Sequence, residues 1–380
     1  MTPPGASGLR LCVVGESGSI HIRRWLRFFA DRGHRVHLVT VSPPEPGDIP
    51  GVAVHAVRAR KGRSGPWKAL DYAALALGFR QAVRFIAPDL VNVMFVTDFG
   101  LFGALSGVRP LAVTPWGSDV LRHPFQKRFW RLSNAFAVRR ADLVVANSGH
   151  MHETLVSRLG ASEKKILDVV WPGVDFRLFF PRDRAAAKRK LGLEGKLVFF
   201  SSRNLSPIYN IDRLLEMFAL VRRRLPEAVL LQAGEGPLLA PLRKKAEELG
   251  LGEGGRFLGR ISQEQVREHL CASDVYLTVP QSDTTATSLL EAFACRCNVV
   301  ASAIPANREW ITSGKNGFLV VPENVDEFAE TCVRAALSPV PEAERDANLE
   351  KVRALGDHFR NMERIEAEFA ALAARSRRSA

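Results

Sequence analysis

Residues 274–301 read DVYLTVPQSDTTATSLLEAFACRCNVVA, and this stretch decides the fold. Asp274–Val279 is an apolar run stopped by Pro280. A short polar loop follows, a helix opens, and Asn298–Ala301 is a second apolar run. An apolar strand joined to the next by a helix-length connection is the repeating unit of a parallel sheet covered on both faces.

The same alternation extends outward in both directions and falls into two sets. The first set of strands is Arg10–Gly15, Arg35–Val41, Val52–Val57, Leu90–Val96, Pro110–Thr114, Asp142–Asn147 and Lys165–Trp171. Helical patterns lie between them at Ile20–Arg32, Trp67–Phe85, Phe125–Arg139 and His150–Arg158. The second set is Lys196–Ser201, Ala228–Ala233, Gly255–Leu258, Asp274–Val279, Asn298–Ala301 and Phe318–Val321. Pro172-Gly173-Val174-Asp175 and a charged stretch ending near Gly195 separate the sets, as a hinge between domains would. The expectation is an α/β protein of two doubly wound, Rossmann-like domains, residues 1–172 and 173–355. An amphipathic helix at Phe359–Ala373, within residues 356–377, is expected to cross back to the first domain. Ligands of such sheets bind at the carboxyl ends of the strands, so a cleft between the domains is the expected site.

Composition narrows the class. With 380 residues, 46% hydrophobic and 24% charged, the chain is ordinary globular protein and wholesale disorder is excluded. Five cysteines are too few and too scattered for a disulfide framework, and the Cys295/Cys297 pair lacks partners for a zinc site. No run approaches the roughly 20 apolar residues of a membrane span, and Leu11–Val14 is too short for a secretory signal. A cytoplasmic protein is expected, docked peripherally on the cytosolic face of a membrane if docked at all. The net charge of +13 is uneven: residues 1–172 hold 23 Lys+Arg against 12 Asp+Glu, and the remainder 30 against 28. The first half should meet something anionic. Two segments there interleave cations with aromatics, Arg122–Arg131 and Arg58–Lys68 with its Trp67. Either segment is a docking surface for an anionic bilayer or a solvated face with its aromatics packed inward. No nucleic-acid recognition module is present.

The densest chemistry lies in residues 282–293. Backbone N–H groups at Thr284, Thr285 and Ala286 would face outward at the start of a helix, where the dipole favours an anion such as a diphosphate. Asp283 and Glu291 are eight residues apart, about 12 Å along a helix. That reach suits the ribose and the sugar of a nucleotide-diphosphate sugar. The competing reading makes Asp283 an N-cap and Glu291 a solvated residue. The apolar neighbours Leu289, Leu290, Ala292 and Phe293 tilt the balance towards function, because an unpaired carboxylate among them is costly. Arg203, at the carboxyl end of a strand, either clamps a diphosphate with its planar fork or is a surface arginine. Gly234-Glu235-Gly236-Pro237 is a strand-to-helix turn of similar form. In the first half, Gly15-Glu16-Ser17-Gly18-Ser19-Ile20-His21 lacks the G-x-G-x-x-G spacing of a nicotinamide site, although Ser17 and Gly18 could still offer donors to a phosphate. His21 is either a general acid/base or a hydrogen-bonded core histidine, the second being favoured. Asp119 either binds acceptor hydroxyls or caps the next helix.

Taken together these segments resemble the retaining glycosyltransferases of family 4, the group 1 glycosyltransferases with the GT-B fold. The likeness covers nearly the whole chain. It rests on Ser19-x-His21-x-x-x-Trp25, Trp116-Gly117-Ser118-Asp119, Asp142–Ser148, Pro172–Asp175, Gly234–Pro237, Phe257-Leu258-Gly259, the E-x7-E-like Asp283 to Glu291, and Asn307–Ile311. By that resemblance Glu291 would bind the nucleotide ribose, Asp283 the donor sugar and Arg203 the diphosphate, with Arg260 and Ile261 near the base. The resemblance implies transfer of a sugar from a nucleotide-diphosphate donor, with retention and without a metal or other cofactor. The expected acceptor is a lipid-linked surface glycan; the alternatives are a small soluble metabolite, or nucleotide-sugar binding without turnover. The chain departs from the family pattern at several positions. Asp283 stands for a glutamate, Thr284 for a glycine, Tyr209 for a phosphate-binding lysine, Arg296 and Asn298 for a glycine and a proline, and Asn92 for a histidine.

Overall fold

The computed structural model describes residues 8–42, 49–58 and 66–379. Most of Arg58–Lys68 and of the proline-rich loop Pro43–Pro50 lies outside the described residues. The chain divides into two compact units, one of residues 1–169 and 362–380 and one of residues 170–361.

The first unit is built on seven strands: β1 (Arg10–Val14), β2 (Arg35–Thr40), β3 (Val52–Ala56), β4 (Leu90–Met94), β5 (Leu111–Thr114), β6 (Leu143–Ala146) and β7 (Ile166–Asp168). They pair in parallel in the order β3-β2-β1-β4-β5-β6-β7. The second unit has six: β8 (Leu197–Ser201), β9 (Ala228–Ala233), β10 (Gly255–Gly259), β11 (Val275–Thr278), β12 (Asn298–Ser302) and β13 (Phe318–Val320), ordered β10-β9-β8-β11-β12-β13. Each sheet is therefore doubly wound, and the strand order reverses beside the first strand of its unit, where such sheets take their ligands. The expected α/β fold of two Rossmann-like domains is borne out.

Period-2 geometry explains why these strands read as continuous apolar runs. In β8, Val198 and Phe200 pack with Leu231, Tyr276 and Val299 on one face, while Phe199 packs with Leu230, Val275 and Leu277 on the other. Both faces are buried, so few positions admit a polar residue. Among the described residues no helix is long and apolar enough to cross a membrane. All five cysteines are free and buried.

The helix His358–Ser379 gives its first residues to the second unit and its remainder to the first. In the first unit Phe369 stacks on Phe29 at 5.8 Å and tilts against Trp25 at 6.1 Å. Glu366 pairs with Arg32 (2.6 Å) and His34 (2.7 Å), and Arg377 reaches Asp89 at 2.5 Å.

Two segments differ from the sequence expectation. The run Leu90–Val96 stops as a strand at Met94, because Phe95 turns to φ +74° and the Val96 amide bonds to Asp119 (2.7 Å) instead of a neighbouring strand. The predicted helix Phe125–Arg139 is interrupted at Lys127, which is extended, and the helix proper is Arg128–Arg140. Its buried side is Ser133, Asn134, Ala135, Ala137 and Val138; Asn134 Nδ2 docks on the Asp119 carbonyl (2.5 Å) and on Thr97 (3.2 Å). That polar anchor sets the helix rotation and turns its large apolar side chains outward.

Candidate functional site

In the second unit the loop after β8 carries Arg203. Its guanidinium is nearly buried, at 10% exposed, and both ends are engaged: Nη2 donates to Asp283 at 2.6 Å and Nη1 to Ser288 Oγ at 2.9 Å. The Tyr209 ring lies beneath it at 4.2 Å. Burial works against the charge on Arg203, but Asp283, Tyr209 and Tyr276 together outweigh it and raise its pKa. The side chain is a fixed cation.

The loop that presents Arg203 depends on two glycines. A Cβ on Gly234 (φ +124°) would sit 2.6 Å from the Arg203 carbonyl, and one on Gly236 would meet the Leu205 carbonyl at 2.3 Å. Only glycine lets the two strand ends approach so closely. Gln232 then donates to the Arg203 carbonyl (2.8 Å), and Leu205 to Glu235 (2.9 Å). The Gly234 amide bonds to the Gly259 carbonyl (2.8 Å), which brings the half-buried Ile261 and exposed Arg260 to the same side of the sheet. The Gly-Glu-Gly turn is thus more than a tight turn, because it seats the Arg203 loop.

After β11 the chain runs through Pro280 to the helix Thr287–Ala294. The intervening loop is pinned by Ser302 Oγ to Pro280 (2.7 Å), Gln281 N to Ile208 (2.8 Å) and Gln281 to Asn210 (2.9 Å). The helix begins at Thr287, with Ala286 as its N-cap residue. Two expectations are corrected here. Asp283 lies in the loop, so the separation of the two carboxylates is not a helical rise. The Thr284 amide is taken by Asp283 Oδ1 at 2.9 Å, so it is not an open donor. Thr285 is buried, and its Oγ1 accepts from Trp310 at 3.4 Å.

Glu291 is buried on that helix, one turn after Ser288 and on the same face. Two residues that motif reading passed over join this cluster. Ser288 holds Arg203, and the buried Tyr276 hydroxyl bonds Ser202 at 3.0 Å. Burial raises the pKa of Tyr276; Arg203 and the Ser202 and Ser288 hydroxyls oppose the shift, and Glu291 adds to it. The signal for Tyr276 was a hydroxyl inside an otherwise apolar strand. Arg203, Asp283, Ser288, Tyr209, Tyr276 and Glu291 thus form one cluster: a fixed cation, two carboxylates and several hydroxyls at the carboxyl ends of β8 and β11.

His21, Ser17, Gly18 and Asp119 belong to the first unit. Gly18 is exposed at the end of β1, and nothing lies within 4 Å of where its Cβ would be. Ser17 is buried with its hydroxyl donating to the Ser42 carbonyl, so the hydroxyl is not open to a phosphate. His21 opens the helix Ile20–Asp31, capped by Ser19, and its ring meets the edge of Trp116 at 5.8 Å. Asp119 is 0% exposed and accepts from the amides of Val96 (2.7 Å), Gly117 (2.8 Å) and Trp116 (3.0 Å). Burial raises its pKa against the pull of those amides. An acceptor hydroxyl cannot reach it, so the expectation of direct contact gives way to an anchoring role: Asp119 fixes the loop that holds Trp116 against His21.

Comparison with known proteins places this architecture. A model described as glycosyl transferases group 1 matches residues 183–351, and one described as glycosyl transferase 4-like matches residues 10–148. Sucrose-phosphate synthase from Thermosynechococcus elongatus superposes with a TM-score of 0.79 at 19% identity, covering 96% of this chain and 99% of that one. The Anabaena HepE structure in complex with UDP-glucose gives 0.77 at 19% identity, covering 96% and 100%. The fold is GT-B. A D-inositol 3-phosphate glycosyltransferase from Mycobacterium ulcerans is 34% identical over 351 residues, 83% of this chain and 73% of its own length. The namesake from Geodermatophilus obscurus is 34% identical over 211 residues, 53% of this chain and 46% of its own. The chain belongs to the group 1 glycosyltransferases, family 4. Its matched stretch spans about half the length of most of these curated relatives.

Proposed function

We propose that the chain is a glycosyltransferase that moves a sugar from a nucleotide-diphosphate donor, with retention of configuration, to a lipid-linked surface-glycan acceptor on the cytosolic side of a membrane. The carrying observation is the cluster around Arg203, a fixed cation at 10% exposure flanked by Asp283, Ser288 and Glu291. Departure of a nucleoside diphosphate is the hard step, and its charge needs preorganised partners. Arg203 and the amino end of the helix Thr287–Ala294 supply them without a metal ion. Glu291 takes the ribose hydroxyls and Asp283 the sugar hydroxyls, with Arg260 and Ile261 beside the base. In the same-face course proposed here, the departing phosphate oxygen accepts the proton of the attacking acceptor hydroxyl, so no protein nucleophile is needed. Structural neighbours described with UDP-glucose, and with UDP and glucose, support a nucleotide-sugar donor.

A small soluble acceptor is the second reading. It is favoured by the curated relatives, which are named for inositol 3-phosphate.

The test is a thermal-shift panel of UDP, GDP, ADP and CMP followed by their sugars, since a ligand that binds only the native state raises its stability. One nucleoside diphosphate should stand out, and its sugar should release it when acceptor is added. Glu291→Ala should weaken nucleotide binding, and Arg203→Ala should slow transfer with the fold retained. Nucleotide binding without release, across lipid-linked and soluble acceptors, would leave a binding protein without turnover. Unchanged affinity and turnover in both variants would refute the site.

A further inference from the structure

The helix Arg128–Arg140 is turned inside out. Its small and polar residues face the core, while Phe129, Leu132 and Phe136 are 54%, 65% and 38% exposed. They stand at i, i+3 and i+7, one face of the helix. Phe125 continues the row at 40% exposed in the preceding turn. Residues 122–140 hold six Lys and Arg and no Asp or Glu. Two of these cations and one from a later helix end border the apolar row: Lys127 lies over Trp130 at 4.8 Å, Arg140 over Phe136 at 5.7 Å, and Arg158 over Phe125 at 4.3 Å.

We propose that this face docks on an anionic lipid bilayer, with Phe125, Phe129, Leu132 and Phe136 entering the headgroup boundary and the bordering cations meeting lipid phosphates. Charge complementarity selects the occupant. A nucleic acid would satisfy the cations but leave four apolar side chains in water, and an acidic protein groove would have to match both patterns at once. A bilayer interface offers anionic headgroups and an apolar boundary in adjacent layers, as for amphipathic helices that lie in the interface plane. The inference deepens the lipid-linked form of the proposed function by naming the surface that meets the membrane. It is testable without any sugar transfer, so its failure and the failure of the enzymatic reading are separate results.

The experiment is co-sedimentation of the full chain with vesicles of phosphatidylcholine, alone or with 30% phosphatidylglycerol as the probe. The chain should pellet with the anionic vesicles and stay in the supernatant with the neutral ones. Raising salt to 1 M, where the screening length shrinks to about 3 Å, should release most of it. The double variant Phe129→Ser/Leu132→Ser, and separately Arg128→Gln/Arg131→Gln, should each lower partitioning, the latter by roughly fivefold per cation removed. Both pairs are exposed, so melting temperatures should match wild type. Three results would overturn the proposal: equal partitioning of wild type and the apolar variant, sedimentation velocity showing a dimer that the same variants dissolve, or salt-sensitive RNA binding with no vesicle binding.

Discussion

Arg203 and Asp283, eighty residues apart in sequence, form a nearly buried ion pair at 2.6 Å that occupies one end of the arginine fork while Ser288 occupies the other. The cation assigned to the donor diphosphate and the carboxylate assigned to the donor sugar therefore hold each other. In the function proposed above, a donor exchanges Asp283 for its own phosphate on Arg203, and that exchange frees the carboxylate for the sugar.

Asp283→Asn removes the competing charge with little change of shape. Free nucleoside diphosphate should bind about tenfold more tightly to this variant, while sugar transfer falls by roughly a hundredfold. Calorimetry with the nucleoside diphosphate and a turnover assay check the two halves. Weaker nucleotide binding in the variant would mean that Asp283 orients Arg203 instead of masking it.

The Tyr209 ring lies 4.2 Å from the Arg203 guanidinium. Tyr209→Phe should bind nucleotide like wild type. Tyr209→Ala, losing a partly desolvated cation–π contact of about 1 kcal/mol, should bind about fivefold more weakly. Titration of the three proteins with one nucleoside diphosphate separates the ring from the hydroxyl.

Asp119→Ala leaves the buried amides of Val96 and Gly117 and the half-buried amide of Trp116 without an acceptor. At about 1 kcal/mol or more each, it should lower stability by about 3 kcal/mol in chemical denaturation. A loss of activity with no loss of stability would instead place Asp119 against substrate.

Arg296 occupies the left-handed position after the helix Thr287–Ala294, at φ +59°, where glycine is the unstrained choice. Its side chain pairs with Asp346 at 2.7 Å on the surface. Relief of backbone strain, about 1 kcal/mol, should outweigh so exposed a pair. Arg296→Gly is therefore expected to raise the midpoint of denaturant unfolding.

His37 and His55 face each other across β2 and β3, Nδ1 to Nε2 at 3.0 Å. Burial, and for His37 also the neighbouring His55 and Arg10, hold their pKa values below the usual histidine range. Below about pH 6.5 the unfolded chain binds protons that the folded pair resists, so stability falls as pH drops through that window towards the folded values. Melting temperatures measured from pH 7.5 to 5 should decline, and His55→Gln should flatten the decline.

Strand positions, parallel winding and the division into two halves were legible because a strand buried on both faces admits few polar residues: the run at Val198–Phe200 feeds two cores at once. The clustered residues Arg203, Asp283 and Glu291 were legible from their positions at strand ends and in motifs. Periodicity fails where a polar anchor overrides it. Phe129, Leu132 and Phe136 carry a helical spacing that sequence reads equally as core or surface. The Asn134 bond to the Asp119 carbonyl decides the rotation. Nor could one-dimensional reading show that Asp119 also takes the distant Val96 amide, or that Ser288 and Tyr276 close the cluster around Arg203, because those partners meet only through the sheet order. Apolar burial is a property of local pattern and so is written in the chain. Which donor satisfies which acceptor depends on residues 15 to 85 positions apart, and only the folded arrangement of strands and loops brings them within 3 Å.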